Sequence, residues 1–124
     1  MYELRVRSGF AAAHQLRGYQ GSCENFHGHN WRVEVTVKAE ALNEIGIGLD
    51  FRQIAQAARE LLSQVDHRNL NEVEPFIESN PTSENLARWF YQELGRRLNG
   101  PGIRVSRVTV METEDYAASY DEEG

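Results

Sequence analysis

Residues 23–39, CENFHGHNWRVEVTVKA, contain the clearest strand pattern in the chain and point to its fold class. From Trp31 to Ala39, apolar residues alternate with polar ones, which is typical of a β-strand with one buried face. Because side chains alternate between the two faces, His27 and His29 fall on the same row as Trp31. The stretch therefore predicts a half-buried strand whose core-facing row begins with two histidines.

The remaining periodicities predict five further elements around this strand. Two helices are expected in the middle of the chain, each with an apolar face, and strands are expected on either side of them. In chain order the elements are strands at 2–10 and 31–39, helices from Asp50 to near Asp66-His67 and from Asn80-Pro81 to Asn99-Gly100, and strands around 108–110 and 116–120. This ββααββ order indicates one α+β domain over residues 1–124, in which 121–124 (DEEG) form a loose acidic tail.

Composition excludes several classes of protein. The chain has 124 residues and a net charge of −6, so a nucleic-acid or anionic-membrane surface, which needs a basic excess, is not expected. No segment resembles a signal peptide or a transmembrane helix. With a single cysteine the chain cannot form an internal disulfide, which favours a reducing cytoplasm.

The histidine positions indicate a metal site. His14 lies at the end of the first strand, where pairing with the second would bring it beside His27 and His29. Three neutral imidazoles with an open fourth position are typical of catalytic zinc, although other divalent ions also bind imidazole. The alternative is three separate polar residues at a sheet edge.

Cys23 lies in the loop before these histidines, and its residue type allows three roles. It is an inert small residue, a fourth metal ligand in a closed structural site, or a nucleophile or general base. The last role needs a proton partner, for which Asp66 and His67 at a helix end are candidates. The alternative is that Asp66 and His67 are ordinary solvated residues at the end of a helix.

Two carboxylates are further candidates. Glu112 continues the row of Val108 and Val110 toward the core, where a carboxylate is costly unless it binds something. Glu84 lies near the start of the second helix, where interaction with the helix dipole is a sufficient explanation.

Five segments together resemble the 6-pyruvoyltetrahydropterin synthase superfamily, and most closely its 6-carboxytetrahydropterin synthase branch, from queuosine biosynthesis. They are, in order, FAAAH, CENFHGHN, DHRNLN, NPTSEN and METE. The resemblance implies the tunnelling fold, an antiparallel four-stranded sheet with two helices on one face. It also implies a homohexamer of two stacked trimers, with active sites between subunits.

The resemblance also implies roles for particular residues. The zinc ligands would be His14, His27 and His29, the catalytic residues Cys23, Asp66 and His67, the pterin-anchoring carboxylate Glu112, and further residues of the pterin pocket Thr82 and Glu84.

The implied reaction converts 7,8-dihydroneopterin triphosphate to 6-carboxy-5,6,7,8-tetrahydropterin, acetaldehyde and triphosphate. Three residues separate Cys23 from His27, and this short gap in sequence is the one that distinguishes the branch from the pyruvoyl-forming synthases. Glu24 also fits the Glu-x-x-His-Gly-His form of a folate-related branch, which forms a 6-hydroxymethyl product. A zinc-stabilised binding module and a pterin-binding relative without turnover remain the non-enzymatic alternatives.

Overall fold

The computed structural model describes residues 1–18 and 25–122. Its elements are the strands β1 (Tyr2–His14), β2 (His27–Ala39), β3 (Arg68–Asn69), β4 (Ile103–Met111) and β5 (Ala117–Tyr120), the helices α1 (Phe51–Leu62) and α2 (Ser83–Leu98), and a 3₁₀ turn at Leu70–Glu72. Neither helix is long and apolar enough to cross a membrane.

The five strands form one sheet in the order β3-β1-β2-β4-β5. All neighbours are antiparallel except β3, which runs parallel to β1 at Ala12 and Ala13. The four strands predicted from sequence are confirmed, and β3 is the addition. A strand of two residues is too short to show an alternating pattern, so periodicity could not reveal it.

Both helices cover the same face of the sheet and form the core with it. The largest buried side chains of the two layers include Trp31 and Phe10 on the sheet and Phe90 on α2. Trp31 is 1% exposed, stacks on Phe10 with ring centroids 5.7 Å apart, and donates its indole N–H to the Ala12 carbonyl at 3.1 Å. Burial of each such ring stabilises the fold by about 1.5–3 kcal/mol.

The helix ends differ slightly from the sequence prediction. α1 is capped by Asp50, which accepts from the Arg52 N–H at 2.9 Å, but it ends at Leu62 rather than near Asp66-His67. Val65 stays fully buried in the following turn, which is why the apolar periodicity runs past the helix. α2 begins after Thr82, whose side chain accepts from Asn85 N–H at 3.0 Å, so Pro81 precedes the cap.

Candidate metal centre and proton-transfer pair

The ends of β1 and β2 bring three histidines together. His14 is the direct antiparallel partner of His27, and His29 lies two residues further along β2 on the same face. Glu112, which follows β4, completes a group of four side chains whose ligand atoms all lie within 4.8 Å of one another. We call these four residues the histidine cluster. The sequence prediction that the hairpin places His14 beside His27 and His29 is confirmed.

The closest approaches in the cluster are between atoms that carry lone pairs. His14 Nε2 lies 3.1 Å from His27 Nε2 and 3.0 Å from Glu112 Oε1. The same Glu112 oxygen is 3.0 Å from His29 Nε2 and 3.9 Å from His27 Nε2. Ligand atoms of a tetrahedral zinc with bonds of about 2.0–2.1 Å lie roughly 3.3 Å apart, so the spacing fits such an ion.

Main-chain carbonyls fix the tautomers of two cluster histidines. The Nδ1 atom of His14 lies 2.8 Å from the Pro81 carbonyl, and that of His27 lies 2.6 Å from the Asn25 carbonyl. Because a carbonyl only accepts, each Nδ1 carries a proton, and the Nε2 atom of each ring faces the cluster as the candidate ligand atom. This arrangement of outer acceptors is the one that orients metal-binding histidines.

His29 supplies an independent test of whether the residues fit a cation. Its Nε2 atom is buried and satisfies no hydrogen-bond geometry among the described residues, although Glu112 Oε1 lies 3.0 Å away. Burial lowers the pKa of His29, and this outweighs the opposing effect of the Glu112 carboxylate. A neutral imidazole whose Nε2 atom is not committed to a hydrogen bond is free to bind a metal ion. The donor set therefore fits a divalent metal ion.

Asp66 and His67 contact each other in the turn after α1. Asp66 Oδ1 lies 3.0 Å from His67 Nδ1 and also accepts the Ala11 N–H at 2.9 Å. This Ala11 hydrogen bond is the main reason that the pKa of Asp66 lies below its usual value, and the bonds to His67 lower it further. The pair therefore combines an ionised carboxylate with an imidazole, an arrangement suited to proton transfer.

The backbone sets the direction of His67. This residue has a φ of 57°, a left-handed conformation that is uncommon for a side-chain-bearing residue, and its N–H donates to the Ala11 carbonyl. The imidazole is 82% exposed. Such local strain is concentrated at functional sites, and here β1 holds the turn in place.

His29 and His67 both line one open cavity of about 590 Å³, whereas His14, His27 and Glu112 are not among its lining residues. Phe26, Gly28 and Arg68 contribute to the same wall. Phe26 and Arg68 were not identified from sequence, although each is adjacent to a predicted site residue. Arg68 places a cation in a cavity whose lining contains no carboxylate among the described residues.

The other predicted site residues are not all placed beside this cavity. Thr82 caps α2, and Glu84 is exposed in the first turn of that helix, in agreement with a helix-dipole role. Neither lines the cavity shared by His29 and His67. Cys23 and Glu24 lie outside the described residues, so their predicted roles stay predictions.

Comparisons with known proteins agree with this geometry. The 6-pyruvoyl tetrahydropterin synthase family model matches residues 3–123. A putative 6-carboxy-5,6,7,8-tetrahydropterin synthase of Archaeoglobus fulgidus is 36% identical, with 90% of this chain and 89% of the relative covered. Dihydroneopterin monophosphate aldolase of Pyrococcus furiosus is 30% identical, with 93% of both chains covered.

A solved structure extends the likeness to the fold. The 6-pyruvoyl tetrahydropterin synthase of Caenorhabditis elegans superimposes with a TM-score of 0.89 at 28% identity, covering 98% of this chain and 96% of that one. The fold is thus the tunnelling fold of these enzymes, as expected from the sequence. The chain belongs to the 6-pyruvoyl tetrahydropterin synthase family.

Proposed function

We propose that the protein is a zinc-dependent lyase of the queuosine pathway. It converts 7,8-dihydroneopterin triphosphate and one water to 6-carboxy-5,6,7,8-tetrahydropterin, acetaldehyde and triphosphate. The observation that carries the proposal is the convergence of three imidazole Nε2 atoms, one of which belongs to His29, a residue that lines the same cavity as His67. The likeness to relatives named 6-carboxy-5,6,7,8-tetrahydropterin synthase supports this branch.

His14, His27 and His29 would hold the metal, since their lone pairs converge and two of their tautomers are fixed. Zinc at that position would supply a Lewis acid that acidifies the side-chain hydroxyls of the pterin. We assign Glu112 to the pterin ring, because a carboxylate can accept two N–H groups from its guanidine-like edge. Glu112 is 26% exposed, so part of its carboxylate is accessible to a ligand.

Proton movement at the substrate side chain is assigned to Cys23 together with Asp66 and His67. The exposed His67 imidazole can exchange a proton at the cavity wall, while Asp66 holds its Nδ1 atom. An imidazole so oriented is the usual general acid or base at neutral pH. Arg68 in the same wall would attract the phosphates of the substrate.

We further propose that the working form is a homohexamer. Among the residues that the structure describes, the outer edge of β5 has no strand partner, and β1 is paired on its outer side only at Ala12 and Ala13. Unpaired edges are templates for strand pairing with another copy. Light scattering on the purified protein would measure a mass six times that of the chain, and a monomer that turns over substrate would contradict the assembly.

The test of the reaction is a product analysis. The zinc-loaded protein is incubated with 7,8-dihydroneopterin triphosphate, and the pterin and the small fragment are identified by mass. We expect acetaldehyde and 6-carboxytetrahydropterin. A 6-pyruvoyl product with no carbon lost would instead identify a pyruvoyl-forming synthase. No turnover by a protein with metal bound would leave a binding role and overturn the lyase.

A second candidate is cleavage to 6-hydroxymethyl-7,8-dihydropterin. It is favoured by Glu24 in the Glu-x-x-His-Gly-His pattern and by similarity to a relative named as an aldolase. Replacement Glu24→Gln should then remove the hydroxymethyl product selectively. If the product mixture is unchanged, Glu24 has no part in catalysis.

The non-enzymatic alternative is tested by Cys23→Ala. A zinc-stabilised binding module with Cys23 as fourth ligand would lose zinc and unfold, because metal binding and folding are coupled in closed sites. The lyase predicts a folded, zinc-loaded and inactive variant.

A further inference from the structure

Two asparagine side chains continue the pairing of β1 beyond its last residue. Asn71 accepts the Gln15 N–H at 2.8 Å and donates to the Gln15 carbonyl at 2.8 Å. Asn80 makes the same two bonds with Arg17, at 2.9 Å and 2.8 Å. Each amide thus satisfies both main-chain groups of one residue, as a neighbouring strand would.

The Asn80 clamp is connected to the metal centre through a hydrogen bond to an imidazole. Pro81 follows Asn80, and its carbonyl is the acceptor for the Nδ1–H of His14 at 2.8 Å. The His14 ring is 2% exposed, so this proton has no access to water as an alternative acceptor. The direction of the Pro81 carbonyl therefore determines where His14 Nε2 points within the histidine cluster.

The turn at Asn80 is held from several sides, which makes the carbonyl rigid. The main-chain oxygen of Asn80 accepts from Thr82 N–H at 2.9 Å and from the Asn85 side chain at 2.9 Å. The Arg17 guanidinium donates to the carbonyls of Phe76 and Ser79, at 2.7 Å and 2.9 Å. Of these contacts, the Asn80 amide is the one that ties the residue preceding Pro81 to the extension of β1.

We propose that Asn80 is a positioning residue of the metal centre, which acts on His14 through the Pro81 carbonyl. The inference rests on the proposed metal-binding role of the cluster and adds a residue outside it. Asn71 provides a comparison because it is similarly half-buried and makes an equivalent clamp. It holds Gln15, which follows His14 in the chain, but among the described residues neither Asn71 nor its own chain neighbours hydrogen-bond to a cluster imidazole.

The experiment measures zinc affinity by chelator competition for the wild type, Asn80→Ala and Asn71→Ala. Loss of a partner that orients a ligand weakens metal binding by about 10–100-fold, which we expect for Asn80→Ala. For Asn71→Ala we expect a change below about threefold, which is smaller than the loss of an orienting partner causes. Circular dichroism and urea unfolding establish that both variants are folded.

A second measurement follows the His14 ring itself. Imidazole ¹⁵N NMR of the metal-free proteins reports which ring nitrogen carries the proton. The wild type and Asn71→Ala should show His14 protonated at Nδ1 and protected from exchange, whereas Asn80→Ala should lose that protection. The cobalt(II) absorption spectrum should change in intensity in the same variant alone.

Equal zinc affinities and equal His14 spectra in the two alanine variants would overturn the inference. If Asn80→Ala does not fold, the comparison of Asn80→Asp with Asn71→Asp replaces it, because each keeps the acceptor and loses the donor. A wild type that binds no zinc would overturn both the inference and the proposed metal role. A wild type that binds zinc without turning over the pterin would remove the proposed lyase and leave this inference standing.

Discussion

The two histidine regions at the end of β1 are held in opposite ways. In the cluster, the His14 ring is 2% exposed and is hydrogen-bonded to a carbonyl, so it is fixed before any ligand arrives. His67, by contrast, is 82% exposed and is directed by a left-handed backbone and by Asp66. A buried, neutral imidazole suits metal binding, whereas an accessible imidazole beside a carboxylate suits proton exchange. The contrast predicts that metal binding and proton transfer can be disrupted separately in this protein.

The largest effect is expected from His29→Ala. This substitution removes the proposed ligand atom Nε2, which makes no hydrogen bond among the described residues. Because loss of an outer partner alone costs about 10–100-fold in metal affinity, loss of the ligand should cost more than about 100-fold. Zinc content after dialysis and turnover should both fall to background. Retention of stoichiometric zinc would contradict the assignment of His29.

His67→Ala is the counterpart of His29→Ala, because His67 lines the same cavity as His29 but lies outside the histidine cluster. We expect turnover to fall by about 10²–10⁴-fold, the usual contribution of a general acid or base, with zinc affinity unchanged. Measurement of kcat and bound zinc on the same preparation separates the two. Loss of zinc in this variant would show that the two regions are not independent.

Glu112→Gln tests a residue that contacts the cluster histidines but is assigned to substrate binding. This substitution should change substrate affinity and not zinc affinity. A lost hydrogen bond to a charged group costs about 1.5–3 kcal/mol, so KM should rise by about 10–100-fold while zinc is retained. The exposed Glu114→Gln is the matched control, with no change expected. Zinc loss on the scale of His29→Ala would make Glu112 a fourth ligand instead.

The sequence predicts the histidine cluster better than the Asp66–His67 pair, because the cluster follows from regular strand geometry. The parity of His27 and His29 with Trp31 predicts their shared face, and one antiparallel pairing then predicts His14 beside them. These are consequences of strand geometry, and the structure confirms them. The contact between Asp66 and His67 depended on turn geometry, which adjacency in sequence does not determine.

Other features had no local signal at all. The clamp of Asn80 on Arg17 joins residues 63 positions apart. The parallel pairing of Arg68 with Ala12 likewise depends on how α1 returns the chain to β1. Side-chain amides are common in turns, so neither Asn71 nor Asn80 differs in pattern from a solvated loop residue. Assembly between subunits is likewise beyond a single-chain pattern.

A smaller effect is expected from Thr82→Ala at the start of α2. Loss of the hydroxyl that accepts the Asn85 N–H should lower the free energy of unfolding by about 1 kcal/mol, and Thr82→Ser should restore it. Urea unfolding measures the difference. If KM for the pterin rises in Thr82→Ala while zinc affinity is constant, Thr82 belongs to the substrate pocket as well as to the cap.

The smallest effect concerns the exposed Asp66 carboxylate and is visible as a pH dependence. The Ala11 N–H, with His67, lowers the pKa of Asp66 below its usual 3.8. A carboxyl whose pKa is lower in the folded than in the unfolded state stabilises the fold. This contribution is complete above the unfolded-state pKa and is lost as the pH falls through the folded-state pKa. The urea midpoints of metal-free wild type and Asp66→Asn should therefore differ by a constant amount between about pH 6 and pH 5. This difference should shrink below about pH 4. A difference that stays constant to about pH 3 would mean that the carboxylate stabilises the turn without its charge.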